Sequence, residues 1–301
     1  MITILRMLGF ATVQDDGRVG HCAEAVPRSG AMDVDSLARA NMHVGNHRGA
    51  AAIEWTLAGG SIEFGALTVV AVAGAHAELS RNGTPFPAGE SVTFGTGDEL
   101  TVGRFVSGAF IYIAVGGGID VPPVLGSRST YLPAAFGGLA GRRLRAGDTL
   151  RTAARDGGYA TAVPSPVSCA TGAHRGPIRV VEGPDSSAFS TGFRECFWSS
   201  EFTLSRSSSR AGYRLDRQPD SDPEQRSLPS APACIGAIQV PDGKSAIVLM
   251  PDGPTVGGYP KIGVVVSADI PALAQKTPGE TVRFERVTLG DARRLLRGEG
   301  R

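Results

Sequence analysis

Three cations that follow glycine or turn residues are the side chains of this sequence best suited to bind an anion. Arg18 and Arg128 can each bind a carboxylate, carbamate or phosphate through two parallel hydrogen bonds, and Lys261 offers a compact positive charge. Asp15 and Asp252 would orient these cations or bind magnesium. The alternative is that the arginines and aspartates only pair with each other at turns, because such pairs are ordinary in loops.

Two other kinds of chemistry are excluded by the local sequence. A P-loop needs Gly-x-x-x-x-Gly-Lys-Ser/Thr, but Gly243-Lys244 has Ile238 in place of the first glycine. No serine stands in Gly-x-Ser-x-Gly, and Ser207 to Ser209 are typical of a polar loop. The chain is therefore not predicted to be a P-loop nucleotide binder or a self-contained serine amidase.

The spacing of histidine and cysteine predicts no metal ligands. His43 and His47 are four residues apart, but Gly45-Asn46 should end the helix between them, and two ligands make a poor zinc site. The four cysteines include no Cys-x-x-Cys pair, so we expect buried, reduced thiols. The amides of Gly116-Gly117-Gly118 either approach an anion or form a tight turn, and the sequence leaves both open.

The overall charge and hydropathy exclude two classes of partner. The chain has 301 residues, with 30 basic and 29 acidic side chains and a net charge of +1. This balance lacks the positive field on which nucleic-acid binding depends, and no apolar run reaches the ~18 residues of a membrane span. We expect a soluble, cytoplasmic protein without a nucleic-acid or membrane partner.

The elements that position these residues are predicted to be mostly strands. Short runs rich in β-branched residues, bounded by glycine, lie at 67–74, 91–95, 99–102, 109–115, 178–182, 246–250, 262–266 and 281–287. The loops between them are mostly too short for crossover helices, and Asn82-Gly83 predicts a hairpin turn, so the sheets should be antiparallel. We predict a mainly β fold of barrel-like sheets, with short helices from Asp33 to Val44, from Asp269 and from Thr288.

The length favours two domains. The stretch 153–177 has neither helical nor strand periodicity, which is typical of a connection between domains. We therefore predict an N-terminal β-rich domain over residues 1–165 and a C-terminal β-barrel domain over residues 166–301.

Four clusters, in this order and spacing, indicate a family. They are Gln14-Asp15-Asp16-Gly17-Arg18-Val19-Gly20, Pro27-Arg28-Ser29-Gly30-Ala31-Met32-Asp33, Gly116 to Pro122 with Gly126 to Thr130, and Gly236 to Pro241 with Asp252 to Lys261. Together they resemble the family called allophanate hydrolase subunit 2, which is also named as the C subunit of 5-oxoprolinase. That family is similar to the C-terminal part of the urea carboxylase carboxyltransferase domain. The resemblance extends from Leu8 to Phe284.

This resemblance implies two β-rich domains, the second cyclophilin-like, and a partner, the homologue of subunit 1, also named the B subunit. It implies a hydrolase of C–N bonds that acts on a small amide or lactam. The implied reaction is the ATP-dependent opening of 5-oxo-L-proline to L-glutamate, with ATP and magnesium in the assembled complex. Two alternatives stay open: the carboxyltransferase half of a biotin-dependent urea carboxylase or urea amidolyase, and a non-catalytic regulator that antagonises a kinase inhibitor.

The chain itself is not expected to carry biotin. A carrier lysine stands in Ala-Met-Lys-Met, whereas Lys244, Lys261 and Lys276 stand in other settings. Any biotin would therefore be on a partner, and we expect no covalently bound cofactor.

Candidate site residues come from the four clusters. The catalytic candidates are Lys261, Asp252 and Arg128. The substrate-binding candidates are Gln14, Asp15, Arg18, Gly117, Gly118, Ser127, Thr130, Gln239, Thr255, Gly257, Gly258 and Tyr259. Two acids that are usual in the family are missing: Ser209 replaces Asp in Ser-Asp-Arg-Met-Gly, and Ala231 replaces Glu in Ser-Glu-Gly.

Overall fold

The computed structural model describes residues 1–153, 176–216, 228–241 and 245–297. Its internal contacts divide the chain into two compact units. Unit 1 comprises Met1–Val19 and Ser29–Thr171, and unit 2 comprises Gly20–Arg28 and Gly172–Arg301. The predicted boundary between residues 165 and 166 lies outside the described residues. The sequence pattern did not predict that residues 20–28 belong with unit 2.

Unit 1 is built around one ten-stranded sheet. Its strands are β1 (Ile2–Met7), β2 (Phe10–Gln14), β3 (Ala52–Thr56), β4 (Gly60–Phe64), β5 (Thr68–Arg81), β6 (Thr84–Pro85), β7 (Ser91–Phe94), β8 (Asp98–Val115), β9 (Ile119–Asp120) and β10 (Thr149–Thr152). The sheet runs in the order β2-β3-β8-β4-β1-β10-β9, with β5 paired to β6, β7 and β8. All these pairings are antiparallel, as the short predicted loops require.

The core of unit 1 consists of side chains that alternate along these strands. Trp55, Phe64 and Phe94 are completely buried in it, among isoleucines and valines of β1, β3 and β8. The predicted hairpin turn between β5 and β6 is confirmed, because Asn82 and Gly83 both have positive φ, 49° and 81°. The sheet ends that carry the candidate residues are thus anchored in a packed core.

Unit 2 contains a closed seven-stranded barrel. The described strands of unit 2 are β11 (Ile178–Glu182), β12 (Glu201–Leu204), β13 (Gly212–Asp216), β14 (Ala231–Pro232), β15 (Ala237–Gln239), β16 (Ala246–Leu249), β17 (Val256–Gly257), β18 (Lys261–Val265) and β19 (Thr281–Val287). The barrel order is β11-β18-β15-β16-β13-β12-β19, and β14 and β17 form a separate two-stranded ribbon. The parallel pairing of β11 with β19 closes the barrel.

The described helices are few and short: α1 (Val34–His43), α2 (Thr191–Ser199), α3 (Ile270–Ala274) and α4 (Leu289–Leu296). Further 3-10 turns cover Cys22–Glu24, Leu132–Ala134, Ser186–Ala188 and Ser267–Asp269. Three helices were predicted; Asp33 caps α1, and Thr288 and Asp291 form a capping box on α4. The predicted mainly β fold is confirmed.

Helix α2 was not predicted. Its sequence combines Gly192 with bulky aromatic residues, which gave no helical stripe. Ser190 caps it, and Phe193 and Phe197 are buried; Phe197 stacks on Phe284 of β19 with ring centroids 5.6 Å apart. Tertiary packing therefore stabilises this helix more than local propensity does. No described helix is long and apolar enough to span a membrane.

Candidate functional site

The predicted site residues fall into two groups, one in each unit. The group in unit 1 is Gln14, Asp15, Arg18, Gly117, Gly118, Ser127, Arg128 and Thr130. The group in unit 2 is Gln239, Asp252, Thr255, Gly257, Gly258, Tyr259 and Lys261. The two groups differ in how far their polar atoms are already paired within the protein.

The carboxylate of Asp15, just after β2, is almost wholly enclosed by donors. Its Oδ1 accepts hydrogen bonds from the Gly17 amide at 2.9 Å, the Ser127 hydroxyl at 2.6 Å and the Ser129 hydroxyl. Its Oδ2 accepts one from the Arg128 amide at 2.5 Å. Asp15, Arg18, Ser127, Arg128 and Ser129 are called the Asp15 cluster below. Its carboxylate joins two loops far apart in sequence.

The guanidinium of Arg18 is also committed to the protein. Its Nε donates to the Val124 carbonyl at 3.2 Å, and its Nη2 donates to the Ser129 carbonyl. The group stacks over Phe136, with Cζ 4.7 Å from the ring centroid. Gly137 allows this approach, because a Cβ there would clash with the Ser129 carbonyl oxygen. Arg18, only 1% exposed, therefore supports the loops in this geometry.

Arg128 differs from Arg18. Its Nε is buried and has no hydrogen-bond partner among the described residues, and its Nη2 lies 3.7 Å from Asp120 Oδ1. The side chain is 40% exposed. A long ion pair of this kind is weak, so Arg128 keeps donor capacity for an anion. It is the member of the Asp15 cluster whose charge best fits the predicted binding role.

Gln14 and Thr130 tie β2 to the loop that carries Arg128. Gln14 Nε2 donates to Thr12 Oγ1 at 2.9 Å and to the Thr130 carbonyl at 3.1 Å. The Thr130 hydroxyl donates to the Val13 carbonyl at 3.0 Å. Gln14 Oε1 is buried and accepts no bond from the described part of the chain. Most of their polar atoms thus position this loop.

Gly117 and Gly118 form a tight turn between β8 and β9. Both have positive φ, 89° and 79°. The Gly117 amide donates to Asn46 Oδ1 at 2.9 Å, and the Gly118 amide donates to the Val115 carbonyl at 2.8 Å. Of the two predicted possibilities, the geometry favours the turn, because both amides are already used.

In unit 2, Lys261 is a buried lysine with a carboxylate beside it. Its Nζ lies 3.4 Å from Asp185 Oδ2, and the same oxygen accepts a hydrogen bond from the Lys261 amide at 3.1 Å. The lysine side chain is 8% exposed. The two side chains form an ion pair within unit 2. The Lys261 Nζ has three protons, so further donor capacity remains for a ligand.

Gln239 lies opposite Lys261 in the pairing of β15 with β18. Its side chain is buried, and its Nε2 has no hydrogen-bond partner among the described residues. Gly257 faces this amide, because a Cβ added there would lie 2.9 Å from Gln239 Nε2. Lys261, Gln239, Asp185 and Gly257 are called the Lys261 cluster below. A buried donor without an acceptor is rare in proteins and needs an explanation.

Asp252 forms a buried ion pair with Arg210. Arg210 Nε donates to Asp252 Oδ2 at 2.8 Å and Nη2 to Oδ1 at 3.2 Å. The Asp252 amide donates to the Arg210 carbonyl at 3.0 Å. The predicted alternative of pairing at turns therefore describes Asp252 correctly in this structure, although its partner is Arg210 and not Lys261. The pair fixes the start of the loop that leads to Gly257.

The other candidates of unit 2 follow Asp252 along this loop. Thr255 is 9% exposed and its carbonyl accepts from the Ala233 amide at 2.8 Å. The Gly258 carbonyl accepts from the Leu228 amide at 3.0 Å, and Tyr259 is 50% exposed. Ala231, at one of the two missing acids, pairs with Gly257 in the ribbon. The other, Ser209, accepts a bond from the Ala211 amide at 3.3 Å.

Neither predicted magnesium ligand fits a metal ion. The oxygens of Asp15 and Asp252 already accept hydrogen bonds from the protein. Across the described ranges, no three His, Cys, Asp or Glu side chains are placed to hold one metal. The oxygens of Asp15 and Asp252 are therefore already used by the protein in this structure.

The prediction of buried thiols is wrong for two cysteines. Cys22 and Cys234 are exposed, Cys196 is half-buried, and Cys169 lies outside the described residues. Cys22 begins a surface 3-10 turn without buried residues, and Cys234 lies in the loop before β15, so neither reaches the core. Partial burial nevertheless raises the pKa of the Cys234 thiol, against an opposing effect of the Lys261 charge.

Three residues of these groups were not predicted from the sequence: Ser129, Asp185 and Arg210. Arg210 had a signal, because it keeps the arginine of Ser-Asp-Arg-Met-Gly. Ser129 lies within a matching cluster between two chosen residues. Asp185 had no signal in the sequence, since it is 76 residues from Lys261.

The fold and these two groups match a known family. The model of the carboxyltransferase domain, subdomain A and B, matches residues 24–286. The chain therefore belongs to this family, and the predicted resemblance is confirmed.

Two proteins similar to this chain along nearly their whole length are C subunits of 5-oxoprolinase. The chain is 37% identical to that of Escherichia coli K12 over 97% of this chain and 93% of the relative. It is 36% identical to that of Haemophilus influenzae over 99% of this chain and 94% of the relative. The crystal structure of Kluyveromyces lactis urea carboxylase is similar with a TM-score of 0.88 and 31% identity, over 99% of this chain but 28% of that one.

Proposed function

We propose that this chain is the C subunit of an ATP-dependent 5-oxoprolinase, which opens 5-oxo-L-proline to L-glutamate together with partner subunits. The observation that supports this most is the near-complete match, in both directions, to two C subunits of 5-oxoprolinase. Similarity to the urea carboxylase structure covers just over a quarter of that chain. The reaction is hydrolysis of a C–N bond in the lactam.

The Lys261 cluster is the proposed binding site for a substrate oxygen. A lactam or carboxylate oxygen is an acceptor, and Gln239 Nε2 is a buried donor that lacks one within the described residues. The Lys261 ammonium, with Nζ 3.4 Å from Asp185 Oδ2, adds a second donor. Donors fixed toward a carbonyl oxygen stabilise the negative charge that develops on it during C–N cleavage. Asp252 and Arg210 position the loop that carries Gly257.

Arg128 is the proposed anion-binding residue of unit 1. Its partly exposed guanidinium can bind a carboxylate or phosphate oxygen, and the Asp15 cluster holds the backbone that carries it. ATP and magnesium are assigned to the assembled complex, because the carboxylates of Asp15 and Asp252 are already occupied by donors of the protein.

The proposed partner is a homologue of subunit 1, the B subunit of 5-oxoprolinase, in a cytoplasmic complex. Biotin, if present, would be on a partner. Similarity to urea carboxylase supports a second candidate, the carboxyltransferase half of a biotin-dependent system.

The test is co-purification with the homologue of subunit 1 and the remaining subunit, followed by ATP hydrolysis assays. We expect ATP hydrolysis and glutamate formation to depend on 5-oxoproline. The matched control is the complex with Lys261→Met, which should be assembled but inactive. Turnover with urea, bicarbonate and a biotin carrier, and none with 5-oxoproline, would establish the second candidate instead.

A further inference from the structure

Two cysteines line one cavity of unit 2. The cavity has a volume of about 280 Å³, and its walls include Cys22, Arg28, Cys234, Met250 and Thr255. Both cysteines border this one space, so a bond between their thiols requires the two segments that carry them to approach each other across it. Both thiols are exposed and neither belongs to a disulfide.

The remaining walls favour a thiol reaction over a metal site. Three prolines, Pro27, Pro251 and Pro254, line the cavity together with apolar side chains. No His, Asp or Glu is among the lining residues that the structure describes, so a metal ion would lack further hard or imidazole ligands. The two cysteines are the chemically reactive residues of this lining.

Both cysteines lie in surface segments outside the core. Cys22 begins the turn Cys22–Glu24, in which no residue is buried. Cys234 lies between β14 and β15, outside the barrel strands. A small approach of these surface segments therefore costs little packing.

We propose that Cys22 and Cys234 form a reversible disulfide that closes this cavity. With glutathione disulfide as oxidant, one cysteine thiolate attacks a glutathione sulfur, forming a mixed disulfide and releasing one glutathione. The second cysteine thiolate then attacks the protein sulfur of the mixed disulfide and releases the second glutathione. The two thiol protons end on the two glutathiones, so the protein is oxidised by two electrons and glutathione disulfide is reduced.

The disulfide would tie residues 20–28 to the barrel and narrow the space beside Thr255. Thr255 is a predicted substrate-binding residue, so loss of activity on oxidation is expected; this consequence alone rests on the proposed function. The disulfide itself does not depend on which reaction the protein catalyses.

The experiment is a peptide map of the full chain after incubation with glutathione disulfide. Free thiols are alkylated with iodoacetamide, and the chain is digested with trypsin without reduction. We expect one linked pair, peptide 19–28 with peptide 227–244, that disappears after dithiothreitol. The pair should be absent from Cys22→Ser and Cys234→Ser and present in the matched control Cys196→Ser.

Alkylation of both Cys22 and Cys234 after oxidation would overturn the disulfide, as would a link of either to Cys196 or a stable glutathione adduct. The activity of the reduced complex on 5-oxoproline tests the proposed function separately. If the linked pair forms and the activity of the oxidised complex is unchanged, the disulfide stands and its effect on the substrate site is refuted.

Discussion

The Asp15 cluster of unit 1 and the Lys261 cluster of unit 2 were predicted from the same kind of motif, yet they differ in their hydrogen bonding. The Asp15 carboxylate accepts from two hydroxyls and two amides. In the Lys261 cluster, the amide of Gln239 is buried and donates to no described residue. A satisfied buried group holds the fold together, whereas an unsatisfied one marks a place where a ligand can bind. The difference therefore assigns stability to the Asp15 carboxylate and binding to Gln239, while Arg128 Nε is the buried donor of the Asp15 cluster that also lacks a partner among the described residues.

The largest expected loss of stability follows removal of the Asp15 carboxylate. Asp15→Ala leaves the hydroxyls of Ser127 and Ser129 and two amides without their acceptor, and we expect a loss of ~3–5 kcal/mol in the free energy of unfolding. Urea denaturation measures this. The control Asp120→Ala removes a half-exposed carboxylate and should cost less than ~0.5 kcal/mol. A loss below about 1 kcal/mol for Asp15→Ala would show that the cluster is not primarily structural.

The buried ion pair of Arg210 with Asp252 should also contribute to the free energy of unfolding. Arg210→Met leaves the Asp252 carboxylate buried without its cation, at an expected cost of ~3 kcal/mol. The double variant Arg210→Met with Asp252→Leu removes both charges and should regain most of that stability. Thermal denaturation of the three proteins measures this difference. A double variant no more stable than the single one would contradict the pairing.

The sequence predicts features that depend on neighbouring residues, but it does not predict contacts between residues far apart along the chain. The strands Ile178–Glu182 and Thr281–Val287 have the predicted bounds, because local β-branched runs determine them. Asp185 and Arg210 could not be assigned, since their partners lie 76 and 42 residues away. The predicted residues thus lie in the right loops, but the sequence did not separate residues that hold these loops from residues with unused donors. That distinction depends on which atoms are paired after folding.

The substitution Gly257→Ala tests whether the Lys261 cluster contributes to substrate binding independently of the stability of unit 2. The new Cβ would lie 2.9 Å from Gln239 Nε2, the end of a flexible side chain, so the amide must shift while the fold changes little. We expect a loss of stability below about 1 kcal/mol and a several-fold loss of 5-oxoproline-dependent activity. Gly192→Ala is the matched control, because a Cβ there meets nothing within 4 Å. Equal activities of the two variants would contradict the placement of Gln239.

The smallest effect concerns acid stability of unit 1, outside both clusters. Hydrogen bonding to Arg142 lowers the pKa of the Asp148 carboxyl below its ordinary value. The stabilisation is therefore complete above the unfolded pKa and is lost as the pH falls through the folded pKa. Urea midpoints measured downward from pH 6 should fall less steeply for Asp148→Asn than for the native protein. Identical slopes would show that this pair does not contribute.

The Lys261 cluster is proposed to bind substrate through Gln239, a donor that the described part of the protein leaves unpaired. Gln239→Met keeps the volume of the side chain and removes the amide, so the desolvation cost of the unpaired donor disappears. The decisive experiment compares the urea unfolding of this variant with the 5-oxoproline-dependent ATP hydrolysis of its assembled complex. We predict that stability is unchanged or rises by ~1 kcal/mol while activity falls at least tenfold. Full activity, or a loss of activity matched by a loss of stability, would contradict the binding role of Gln239.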